Sequence, residues 1–195
     1  MAGRRTAAGL VFAALALTAA GCGLGSTKTV TATRTRTVTT TRTVTTNPSG
    51  RSAEPCTGAQ LTGRFDLVPG SAGAGQIAYA LTVKNTSGKP CSLHGIPQAT
   101  LLGASGAALP THVRSAGDGP SSRVLLQPGA SAVAQARFSP DVAGAGDSQS
   151  GACQPLAHTL QVSPTGGGVT DAAVKPPTSV CQQGTLTFEG FDYAG

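Results

Sequence analysis

The chain has no tryptophan, its only methionine is the initiator, and aromatic residues make up 4% of the 195 positions. Charge is sparse as well, at 11%, with eight acids against fourteen lysines and arginines. Each scarcity removes a class of chemistry. Copper capture wants clustered His and Met, whereas His94, His112 and His158 stand far apart and none has a second His at ligand spacing. There is no CxxC pair, so a structural zinc site is not expected. No Gly-x-Ser-x-Gly elbow surrounds Ser105 or Ser131, and the eight scattered carboxylates form no recognisable glycosidase pair. The glycine clusters Gly70 to Gly75 and Gly144 to Gly146 open no amphipathic helix, which makes them loops rather than phosphate cradles. The expected complement of metals, cofactors and catalytic residues is therefore none.

Long apolar runs are missing too. The longest, Ala7 to Ala20, follows the cations Arg4 and Arg5 and gives way to a polar tract too soon for a spanning helix, which needs about 20 apolar residues. A positive end, a short apolar stretch and small residues describe a signal peptide over residues 1–21. Leu17-Thr18-Ala19-Ala20-Gly21-Cys22 resembles the lipobox of bacterial lipoproteins, in which the cysteine thiol receives a diacylglyceryl group, although Ala19 departs from the Leu common at its place. Cys22 is the expected lipidation site. A plain secretory signal is the alternative, and it would leave Cys22 as an odd thiol. Acyl chains at about 0.8 kcal/mol per buried CH₂ would hold the mature protein on the outer face of the cell membrane. Arg4-Arg5 leaves both the general secretory and the twin-arginine route open, though Thr6 and Ala7 match the latter poorly.

Residues 22–53 read as a tether. Every odd-numbered position from Thr27 to Thr45 is threonine, and the even positions carry valines together with Lys28, Arg34, Arg36 and Arg42. Such alternation normally marks a strand, but neither face could bury itself, so an extended, Thr/Arg-rich spacer is expected, with a reach of at most about 100 Å. In that conformation the threonines would offer a row of acceptors for O-linked sugars; an unmodified linker is the other reading.

The tether holds five cations, with Arg51, and no acid, a net charge of +5, while from residue 54 onward seven basic residues meet eight acids, leaving −1. The basic balance of the whole chain thus belongs to the tether and does not predict nucleic-acid binding. A basic segment beside an acylated cysteine suits anionic headgroups or wall polymers, each cation adding up to about 1 kcal/mol near such a surface.

Residues 54–195 suffice for one domain with a modest core, much of it alanine. Cys56, Cys91, Cys153 and Cys181 allow three pairings; joining Cys56 to Cys91 and Cys153 to Cys181 keeps both loops local and is favoured. Period-two patterning recurs between turn residues. The clearest strand is Gln76 to Lys84, with Ile77, Tyr79, Leu81 and Val83 on one face and Ala78, Ala80, Thr82 and Lys84 on the other. Leu61 to Leu67, Thr100 to Leu102, Arg123 to Leu126, Ala132 to Phe138, Thr159 to Ser163 and Thr185 to Phe188 read as further strands. No helical period is sustained. The expectation is an all-β, immunoglobulin-like antiparallel two-sheet sandwich with Greek-key connections and two disulfides, in which 111–122, 140–151 and 165–178 are mobile loops rich in Gly, Pro and Ser.

The run from Ala80 to Pro97, with its core Asn85-x-x-x-x-Pro90-Cys91-x-Leu93-x-Gly95-x-Pro97, resembles the signature of the actinobacterial domain-of-unknown-function family numbered 4232. Leu126-Gln127-Pro128-Gly129, Cys153, Leu160 to Pro164 and Val180 to Gly184 follow in the matching order. The resemblance implies an exported, often lipid-anchored β-sandwich module and implies no activity. The motif residues read structurally first: Asn85 to Gly88 as a turn, and Pro90 and Pro97 flanking a short strand. The functional expectation is a non-catalytic surface module whose loops contact a wall polymer, a protein partner or a small ligand, with the ligand-binding residues unassigned. The alternative is an extracytoplasmic hydrolase whose site is built from loops.

Overall fold

A computed structural model describes residues 53–117 and 123–194; Cys22, the signal peptide and all of the tether but Ala53 lie outside the described residues. After a 3-10 turn at Gly58–Gln60 come eleven strands: β1 Leu61–Leu67, β2 Ile77–Asn85, β3 Cys91–His94, β4 Gln98–Leu102, β5 His112–Ser115, β6 Arg123–Leu126, β7 Ser131–Phe138, β8 Ala157–Ser163, β9 Thr170–Thr178, β10 Thr185–Phe188 and β11 Asp192–Tyr193. Alternation decides which face each strand buries. In β2, Tyr79, Leu81 and Val83 point into the core and Lys84 lies exposed. Their partners on β7 are Ala136, Ala134 and Ala132, so a strand of small buried residues lies beside one of large ones. The scarce aromatics are pooled in the same place: Tyr79 sits 5.1 Å from Phe65 and 5.3 Å from Phe138, with Phe65 6.2 Å from Phe188. Such tilted ring pairs add about 0.5 to 1.5 kcal/mol each beyond the area they bury, which offsets part of the weakness of an alanine-rich core.

One sheet carries nine strands in the order β4-β8-β9-β1-β2-β7-β10-β5, with β11 also paired to β7, and β3 and β6 form a separate ribbon. The ribbon adds Leu93, Val124 and Leu126 to the same core. Both ends of the long sheet come back together. The Leu109 N–H, just before β5, donates to Leu101 O of β4 at 2.8 Å, and the Leu101 N–H donates to Thr111 Oγ1 at 2.9 Å. Curling the sheet this way covers edges that would otherwise present unpaired N–H and C=O groups.

The all-β class and the two disulfides stand, but the expected pair of antiparallel sheets does not describe the arrangement. Nine strands share one mixed sheet, and two of its pairings, β1 with β9 and β5 with β10, are parallel. The cause lies in two of the segments expected to be loops. Residues 165–178 contain β9, which enters between β8 and β1, and residues 111–122 contain β5. In β9 the buried positions are Thr170, Ala172 and Val174, a stripe too faint to stand out between three glycines and Pro176-Pro177. The third segment, 140–151, forms no strand, and its Asp147 carboxylate accepts hydrogen bonds from Gly144 within it and from Gln154 beyond it.

Candidate functional site

The cysteines are joined as Cys56–Cys91, with Cα atoms 4.8 Å apart, and Cys153–Cys181, at 5.5 Å. The first bond sits where the chain enters the domain. There Ser92 donates its N–H to Glu54 O at 2.9 Å and its hydroxyl to Ala53 O at 3.0 Å, and its carbonyl accepts the Cys56 N–H at 2.9 Å. The Asn85 side chain is fully buried and fully used. Its Nδ2 donates to Lys89 O and Leu126 O, and its Oδ1 accepts from the Ser87 N–H and hydroxyl. The polar residue that most marks the motif is therefore a corner-piece between β2, the following turn and β6. His94, His112 and His158 fall on β3, β5 and β8, which are not neighbours in either sheet. Among the described residues no three His, Cys, Asp or Glu side chains gather where they could hold a metal ion, and no helix is long and apolar enough to cross a membrane.

Among the described residues Asp147 is the carboxylate with the most hydrogen-bond donors around it. It accepts from the Gly144 N–H at 2.8 Å, from Gln154 Nε2 at 2.7 Å, from the Gln183 N–H at 2.9 Å and Nε2 at 3.1 Å, and from the Gln182 N–H. The Cys181–Gly184 turn is left-handed at Gln182 (φ 54°), Gln183 (φ 58°) and Gly184 (φ 72°), which brings successive N–H groups round to one anion. The Gly144 amide, then the Gln154, Gln183 and Gln182 groups, hold the Asp147 carboxyl well below the usual carboxylate range, outweighing the opposing effect of burial. With its oxygens occupied this way, the group fastens a loop and offers no free acid or base.

Two concave features bear on a binding role. A crevice lined by His94, Ile96, Pro97, Gln98, Pro164 and Phe191 leaves about 20 Å³, room for a water molecule and little else. The wider feature is an open depression of about 260 Å³ on the outer face of β1, β2 and β7, lined by Thr62, Gly63, Arg64, Thr82, Lys84 and Ser131. Register builds it: Lys84 lies opposite Thr62 on one side and Ser131 on the other, while Arg64 lies opposite Thr82. Gly63 adds only backbone to it, since a Cβ there would meet the buried Ala172 side chain at 3.0 Å on the core face. Alternation along β2 is enough to put Thr82 and Lys84 on one face, whereas the strand order that adds Thr62, Arg64 and Ser131 beside them is written in no local pattern.

Compared with known proteins, residues 56–191 match the family model described as Domain of unknown function (DUF4232). No curated protein and no solved structure matches the chain.

Proposed function

The chain belongs to the domain-of-unknown-function family DUF4232, and from that membership we propose that it is a lipid-anchored extracytoplasmic module that acts by surface contact and carries out no catalysis. The observation that carries this reading is the depression on the outer sheet face: shallow, open and lined by short hydroxyls and two cations, it suits the holding of an extended partner. Two disulfides in a small domain fit an oxidising compartment. The lipobox-like segment ending at Cys22 and the basic Thr/Arg tether supply the anchor and the spacer that such display needs.

The anchor is tested by detergent partitioning and mass measurement of Cys22→Ala beside the wild type. Loss of the acyl mass and of membrane association is expected; association that persists unchanged would remove the anchor from the reading. Absence of catalysis is tested by incubating the protein with ester, peptide and glycan substrates. Turnover that disappears when one polar loop residue is changed would replace this reading with a hydrolase.

A further inference from the structure

We propose that the Arg64/Lys84 depression binds a polyanion of the phosphodiester class, a polyol or glycan chain linked through phosphates, an inference that rests on the surface-contact reading above and names its ligand. The outer face carries a checkerboard. Thr62, Lys84 and Ser131 form one cross-strand row, and Arg64, Thr82 and Val133 the next. Arg64 and Lys84 are thus diagonal neighbours on adjacent strands, roughly 7 to 8 Å apart at the backbone, with a hydroxyl at each opposite corner. Two like charges at that separation repel each other, and an anion lying between them relieves the repulsion while the hydroxyls donate to its oxygens.

The nearby acids leave these cations available. Asp66 meets Arg64 only through Nε at 3.6 Å, and the Arg64 side chain stays 67% exposed; such surface pairs are weak. No carboxylate lies within 4.0 Å of Lys84 among the described residues. Asp171, on the neighbouring β9, accepts from Gln161 Nε2 at 3.1 Å. An open surface holds a small free anion poorly, because water screens each contact, whereas a polymer adds contacts along its length. The five cations of the tether belong to the same chain and favour the same partner. A lipid surface fits less well, since none of the exposed large apolar residues, Leu67, Val142, Leu156, Val169 and Tyr193, lines the depression.

The test uses the full chain carrying Cys22→Ala, so that no acyl chain masks the result, with a defined poly(glycerol phosphate) as the probe. Neutral dextran and phosphatidylglycerol vesicles are run beside it. Binding to the phosphate polymer is expected, weakened at least about tenfold and with a shallower salt dependence in Arg64→Ala/Lys84→Ala, while Arg64→Lys keeps most of it. The tether is intact in every variant, and unchanged melting with both disulfides formed shows that the exposed substitutions leave the fold alone. Equal affinity in the double variant would overturn the proposal, as would equal binding to dextran or tighter binding to vesicles. Capture of a protein partner with no polymer binding would sink the phosphodiester ligand and leave the surface-contact reading standing. Hydrolysis of the polymer would sink both.

Discussion

The side-chain amide of Asn85 donates to the carbonyl of Leu126 at 3.0 Å, across 41 residues of chain. That bond joins the end of the longest motif strand to the ribbon strand β6, and the same amide also reaches Lys89 O at 2.8 Å. Cutting the side chain back takes this donor from the buried Leu126 carbonyl, while Lys89 O keeps the Ser87 hydroxyl at 3.0 Å. Asn85→Ala is expected to destabilise the domain by about 2 to 4 kcal/mol, because a buried carbonyl loses its side-chain donor and a void forms beside it. Urea unfolding measures it; a loss under about 1 kcal/mol would show that the motif asparagine is kept for something other than this corner.

Gly184 marks a second contact that tolerates no side chain. A Cβ built there falls 1.8 Å from Pro110 O, at a φ of 72°. Gly106 has a similar φ, 80°, but nothing within 4 Å of its would-be Cβ. The pair separates conformational cost from collision. Gly106→Ala should cost about 1 to 2 kcal/mol, the left-handed penalty alone. Gly184→Ala should cost about 4 kcal/mol or more, because the Pro110 backbone must move. Similar losses for the two would mean that the turn at Gly184 shifts easily.

These residues also show how far the fold was legible from the sequence. Strands with large alternating residues were: Arg123–Leu126 and Thr185–Phe188 end where they were expected to, and β2 is displaced by a single residue. β9 was not, since Ala172 and Thr170 bury little apolar surface and two prolines follow Val174 and Lys175. Missing that strand concealed the parallel pairing with β1, and with it the mixed character of the sheet. The candidate site was half visible. Alternation turns Lys84 and Thr82 outward, but only the order β1-β2-β7 sets Arg64 and Ser131 beside them, and strand order depends on contacts distant in sequence.

Asp147 gives a pH dependence of defined sign. Its carboxyl titrates below the ordinary range when folded, chiefly through the Gly144 N–H and then through the Gln154, Gln183 and Gln182 groups. Its contribution is therefore complete above the unfolded carboxylate value, about pH 4, and falls away as the medium is acidified below it. Urea midpoints between pH 7 and pH 2 should drop on the acid side for the wild type. Asp147→Asn should start lower at neutral pH and decline less steeply, so that the two curves converge at the acid end. Parallel acid limbs would show that other carboxylates govern the acid loss.

The Cys153–Cys181 bond ends one residue before Gln182, so the disulfide and the Asp147 contacts fasten the same strip of chain. Ser179 adds a third fastening: its hydroxyl donates to Gln154 O at 2.7 Å and accepts the Gln154 N–H at 3.2 Å. Cys153→Ala/Cys181→Ala opens a loop of 28 residues and should cost roughly 3 to 4 kcal/mol on the chain-entropy argument. Once the loop is open, Asp147 holds its partners less firmly, and replacing it then removes less. Asp147→Asn in the disulfide-free background should therefore lower the urea midpoint by less than it does in the wild type, a coupling that independent fastenings would lack. Additive losses would mean that the carboxylate organises its turn without help from the bond beside it. The same cycle made with Cys56→Ala/Cys91→Ala, whose bond pins the far entry of the chain, should be additive and so serves as the control.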